Sequence, residues 1–168
     1  SSSSPASPSD RAAPDLVAGS PEDHHGAVPF DVDRLLRLWS EPLPDGGAAE
    51  EAFRAVYTDP VTVNGTPLTA ADLVTRARAV QGTFEQVERR VVSVVEDGDR
   101  VAVAFRMGGR QVGPFATSAG PLPPTGRQLE LRVIDVLTLT DGRISDIWMV
   151  ADELGALAAL DAVRLVTL

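Results

Sequence analysis

At 168 residues, with 43% hydrophobic residues and a net charge of −9, the chain supports one domain with a real core. It lacks the basic face that nucleic-acid binding requires. Cysteine and lysine are both absent, which excludes disulfides, thiolate nucleophiles, sulfur-ligated metals and Schiff-base chemistry. No apolar run approaches the ~18 residues of a membrane-crossing helix, so no membrane partner is expected.

Residues 1–29 are rich in Ser, Pro, Ala and Asp and are predicted to be a disordered or loosely packed tail. Both histidines, His24 and His25, lie there, too few and too remote for a zinc site or a Ser-His-Asp triad. No basic segment followed by an apolar one is present, so a cytoplasmic location is expected. A start at Ser leaves open a secreted or lipid-anchored protein trimmed behind a leader. Residues 30–168 form the predicted domain. Asp31 is placed to cap a helix carrying Val32, Leu35, Leu36 and Trp39 at helical spacing, ended by Pro42 and Pro44. A second helix is predicted from Ala48 to Tyr57, closed by Asp59-Pro60. A short strand and turn follow over Val61-Thr62-Val63-Asn64-Gly65. Thr69 and Asp72 form a capping box for a third helix.

Strands are predicted next, over Val87 to Val95 and Arg100 to Val112 around an Asp97-Gly98 turn. Val101, Val103, Phe105 and Met107 alternate on one face. Gly113 to Pro124 reads as a loop. Arg127 to Leu139 pairs with Ile144 to Val150 around Asp141-Gly142, and a last helix runs from Glu153 to Val163. Helices followed by strands predict an α+β fold, with N-terminal helices packed on a curved antiparallel or mixed sheet. The concave face leaves room for a ligand.

Several residues are candidates for that pocket. Asp146, Trp148, Val150 and Asp152 share one parity, so a ring and two carboxylates project to one side. Asp152 has two readings: N-cap of the last helix, or a carboxyl raised in pKa by an apolar pocket beside Trp148. Asp135 interrupts the apolar face Leu129, Leu131, Val133, Leu137, Leu139. It therefore lines a pocket or pairs with Arg106 or Arg132. Asn64 reads as a turn residue or an amide that orients a carbonyl. Tyr57 is an oxyanion donor or a core ring with its hydroxyl at the surface. Phe105 belongs with the pocket lining, and Gln111 is a neutral hydrogen-bonding group beside it.

The residues Pro124-Thr125-Gly126-Arg127, Asp141-Gly142-Arg143-Ile144 and Trp148-x-x-x-Asp152-x-x-Gly155 together resemble the closing pattern of the SnoaL-like polyketide cyclases. That family belongs to the superfamily of nuclear transport factor 2 and ketosteroid isomerase. The resemblance extends back to about Phe30 and implies a cone-shaped α+β barrel. It implies cofactor-independent acid-base catalysis, with Asp152 removing a proton from a hydrophobic substrate before an aldol ring closure. It also implies a homodimer through the outer sheet face. The sequence departs from the pattern at Gln111, where relatives often carry histidine, and at Asn64, where the isomerase branch has its base. Two further readings stay open on the same fold: a non-catalytic binding or dimerisation module, and an epoxide hydrolase using Asp135, Asp152 and Arg132. Arg132 and Asp135 have opposite parity on one strand, which weighs against the last.

Overall fold

In the computed structural model, residues 29–164 and 166 are described. The tail expected over residues 1–29 lies outside this range except for its last residue.

Two helices precede the first strand and a third follows β2. α1 (Val32–Ser40) is capped by Asp31, whose carboxylate accepts from the Arg34 N–H at 2.8 Å, and it buries Val32, Leu35 and Leu36. α2 (Gly47–Arg54) buries Ala49 and Phe53. It ends before Tyr57, which instead opens β1 (Tyr57–Val63). Asp59 explains the early stop: its carboxylate accepts from Arg54 Nε at 2.9 Å and from the Ala70 N–H at 3.1 Å, binding the end of α2 to the start of α3. The Asp59-Pro60 peptide is cis and sits where β1 leaves regular register with its parallel neighbour. Proline is tolerated there because no ladder hydrogen bond depends on its missing N–H. After β2 (Thr66–Leu68), α3 (Ala70–Thr83) opens on the predicted capping box of Thr69 and Asp72.

The main sheet has six strands in the order β2-β1-β8-β7-β4-β3. β3 is Glu88–Asp97, β4 Arg100–Arg110, β7 Gln128–Thr140 and β8 Arg143–Ala151. All neighbours are antiparallel except β1 and β8, so the sheet is mixed, within the α+β expectation. The segment predicted as a loop holds a small hairpin, β5 (Phe115–Thr117) with β6 (Gly120–Leu122). Three-residue strands leave too short an alternation to read.

Alternation assigns the faces. Val101, Val103, Phe105 and Met107 of β4 and Leu129, Val133, Asp135 and Leu137 of β7 are buried inward beneath the helices. β8 does not keep one parity, because both Ile144 and Ile147 are buried. Ile144 pairs with Leu139 and Asp146 with Thr138, which makes Ser145 an extra residue, a bulge. α4 (Glu153–Ala159) closes the fold. It completes a second cluster of Phe84, Phe115, Leu129, Ala156 and Leu160. None of the helices is long and apolar enough to cross a membrane, among the described residues.

Candidate functional site

Asp135 lies on the inner face in mid-strand, opposite Val103 on one side and Met149 on the other. It is only 9% exposed, and its Oδ1 has no hydrogen-bond partner among the described residues. Neither proposed arginine reaches it: Arg106 binds Glu130 at 3.0 Å and Arg132 binds Asp152. Both arginines sit at even positions that the strand turns outward. Burial without a counter-charge pushes the Asp135 carboxyl up to about 7, because the ionised form loses hydration that nothing replaces. Its cross-strand neighbour Met149 is 42% exposed.

Tyr57 is the nearby hydroxyl. Its ring is 2% exposed, stacked on Phe53 with centroids 5.7 Å apart, and Phe53 meets Trp39 edge-on at 5.8 Å. The hydroxyl is therefore buried, against the expectation of a surface position, because Tyr57 starts a central strand rather than ending a helix. Its Oη accepts from Trp39 Nε1 at 2.9 Å. A phenol that accepts one bond keeps its own proton for another acceptor. Burial raises its pKa, and the Asp135 charge raises it further, which places the two groups in one electrostatic environment. Trp39 was legible only as a helical apolar residue. Nothing in its spacing announced a donor to position 57.

Asp152 has a different fate. Its Oδ1 accepts from the Gly155 N–H at 2.9 Å as the N-cap of α4, and its other oxygen binds Arg132 Nη2. These contacts, the helix N–H first and the guanidinium second, hold its pKa below the usual carboxylate value. The expected raised carboxyl in an apolar cavity beside Trp148 is thus not what forms. Trp148 is 60% exposed on the outer face, opposite Val136. The shared parity of Asp146, Trp148 and Val150 holds, but the Ser145 bulge turns them away from the concave side. Gly155 completes this arrangement: a Cβ there would lie 2.5 Å from the Asp152 carboxylate. The spacing Trp148-x-x-x-Asp152-x-x-Gly155 therefore encodes a strand end and a helix cap.

The two amides are occupied. Asn64, at φ 48°, donates to the Met149 carbonyl at 3.1 Å and accepts from the Met149 N–H at 2.8 Å, extending the β1–β8 pairing by a side chain. Gln111 is fully buried. Its Nε2 donates to the carbonyls of Gly113 and Pro123 at 3.2 and 3.1 Å, and its Oε1 accepts from Thr125 at 2.7 Å. Both residues spend their amides positioning the chain around them. Phe105 is buried on the inner face opposite Val133. The structure thus buries Asp135, Tyr57 and Phe105 on the inner, helix-covered side. Asp152, Trp148, Asn64 and Gln111 lie elsewhere. With Asp135 inside and Arg132 and Asp152 outside, the three groups of the epoxide-hydrolase arrangement do not converge. Among the described residues no group of three or more His, Asp or Glu is placed to hold a metal ion.

The family model for SnoaL-like polyketide cyclase matches residues 33–160. The chain belongs to this family. Solved structures agree with it in fold. TsrD from Streptomyces laurentii superposes with a TM-score of 0.66 at 21% identity, covering 79% of this chain and 92% of that one. A protein of Jannaschia sp. CCS1 gives 0.62 at 24% identity, over 83% and 99% of the two chains. A SnoaL-like polyketide cyclase from Agrobacterium tumefaciens C58 gives 0.59 at 16%, over 76% and 91%. No curated protein sequence matches the chain. In this SnoaL-like protein the inner face of β7 carries the buried Asp135, and the aspartate of the closing motif caps α4.

Proposed function

We propose that this SnoaL-like protein is a cofactor-independent acid-base catalyst of the polyketide-cyclase type, with Asp135 as its proton-transfer group. The observation that carries the reading is the buried Asp135 carboxyl on the inner sheet face, whose Oδ1 has no hydrogen-bond partner among the described residues. A carboxyl titrating near neutrality is half-poised to accept a proton and to return it. The substrate is a hydrophobic small molecule bearing a carbonyl next to an acidic C–H, entering on the side of Met149. Asp135 removes that proton, and the electron pair moves onto the carbonyl oxygen as an enolate, to which Tyr57 donates its free O–H. The enolate carbon then attacks a second carbonyl of the same molecule. One C–C bond forms, the second carbonyl's π bond breaks, and Asp135 returns its proton to the new alkoxide.

The test is hydrogen–deuterium exchange at the central carbon of an aromatic 1,3-diketone in D2O, followed by NMR. The wild-type protein should accelerate exchange, and Asp135→Asn should remove the acceleration while still binding the diketone. A wild-type protein that binds the diketone but leaves exchange at the solvent rate supports the second reading, a non-catalytic binding module. That reading draws on the dense filling of the inner face, where Val101, Val103, Leu137 and Ile144 are at most 1% exposed. The outer face, with Ile134, Val136, Trp148 and Val150 exposed, serves in either reading as the contact between two copies.

A further inference from the structure

β3 is an edge strand, paired only with β4 among the described residues. All of its residues except Arg89 are exposed, and Val91, Val92, Val94 and Val95 are 38–63% exposed. A long unpaired edge with apolar side chains on both faces is a template for another strand. Its two ends carry opposite charge. Arg89 and Arg90 lead into the valines, and Glu96 and Asp97 follow them. A second copy laid antiparallel along the edge would set the basic end of each strand against the acidic end of the other.

The bulge in β3 supplies a register. Pairing with β4 slips by one residue between Val91 and Ser93. Arg90, Ser93, Val95 and Asp97 consequently share the outer face, and Arg89, Val91, Val94 and Glu96 the inner one. A two-fold axis between Val92 and Ser93 keeps the opposed residues on matching faces. Val91 then meets Val94, Arg90 meets Val95, and Arg89 meets Glu96. Glu88 meets Asp97, with Arg90 diagonal to Asp97 on the same face to offset the repulsion. Arg89 is oriented by Ser40 Oγ at 2.6 Å and Asp33 at 3.0 Å, which leaves further guanidinium donors for a partner carboxylate.

We propose that two copies of this chain pair through their β3 edges in this antiparallel register, so that one sheet runs on into the next. The contact is isologous and distinct from the outer sheet face. It does not depend on the catalytic reading.

The absence of cysteine makes the register testable. Opposed Cα atoms of an antiparallel pair lie about 4.5–5.5 Å apart, within disulfide reach. Positions 91 and 94 of one chain, or 91 and its own copy, lie roughly 10 Å apart. The variant V91C/V94C under mild oxidation should give a covalent dimer on non-reducing electrophoresis, with at least about tenfold less from V91C or V94C alone. Equal yields from the single and double variants would overturn the register. In E96R, Arg89 meets an arginine in each half of the contact, and the dissociation constant from sedimentation velocity should rise on the order of tenfold. An unchanged constant, or a wild-type chain without association, would overturn the contact.

Discussion

Asp135 and Asp152 are carboxylates on adjoining parts of one sheet, and their surroundings drive them apart. Among the described residues Asp135 has no arginine and no helix end beside it, and with almost no solvent its proton is held to about pH 7. Asp152 has a helix N–H and an arginine, and it gives up its proton more readily than a free carboxyl. The lesson is that the acid a motif makes conspicuous need not be the one whose pKa is raised. A carboxylate whose lone pairs are already satisfied is stabilised in its charged form and has little drive to take a proton.

The largest expected effect sharpens this contrast directly. Asp135→Asn should lower turnover by about 10²–10⁴-fold, whereas Asp152→Asn should change it by less than about threefold. Equal losses, measured as kcat at matched protein stability, would break the distinction. Tyr57→Phe should follow at roughly 10–10²-fold, with kcat falling and KM little changed, because the hydroxyl acts on the enolate and not on the resting substrate. A loss confined to KM would make the ring a packing residue only.

The fold was read far better than the site, and particular residues show why. Asp31, Thr69 with Asp72, and the two Asp-Gly turns are local signals, and each formed where the chain order placed it. The orientation of Trp148 was not local. It depends on a single extra residue, Ser145, and a bulge leaves no mark in a run of alternating apolar residues. Asp135 stood out as a charge on an apolar face, but whether an arginine would meet it depended on the parity of strands distant in sequence. The Trp39–Tyr57 bond joins residues 18 positions apart, from a helix to the first residue of a strand, and that residue reads from the sequence as the end of a helix.

Stability against pH gives a third test, and the two aspartates should act with opposite sign. Asp135 has a raised folded pKa, so the folded state retains a proton that the unfolded chain has lost. Its effect is to lower stability as pH rises from the ordinary carboxylate range to about 7, and to level off above. Asp135→Asn should remove that decline and be the more stable protein above neutrality, by up to about 4 kcal/mol in urea unfolding. Asp152 has a lowered folded pKa, so its stabilisation is present above the ordinary carboxylate range and lost as pH falls through the folded value. Asp152→Ala should therefore melt about 2–5 °C lower at neutral pH and approach the wild type in acid. A smaller effect is expected at Asn64. Asn64→Ala removes both side-chain bonds to Met149 and should raise hydrogen exchange at the Met149 amide by about fivefold, leaving the amides of α1 unaffected.

The Ser145 bulge bears on how such a protein changes over evolutionary time. Substitutions can alter what a side chain is, but they cannot easily alter which side of a sheet it serves. The bulge absorbs Ser145 without altering the facing of the residues on either side, but inserting one further residue just after it, with no second bulge, would exchange the two faces of β8 from Asp146 onward. An aromatic ring and a carboxylate would then enter the interior, and Ile147 would leave it. In this lineage a single-codon insertion or deletion in one strand, rather than any point mutation, is the step that could install or retire a whole row of binding-site residues at once.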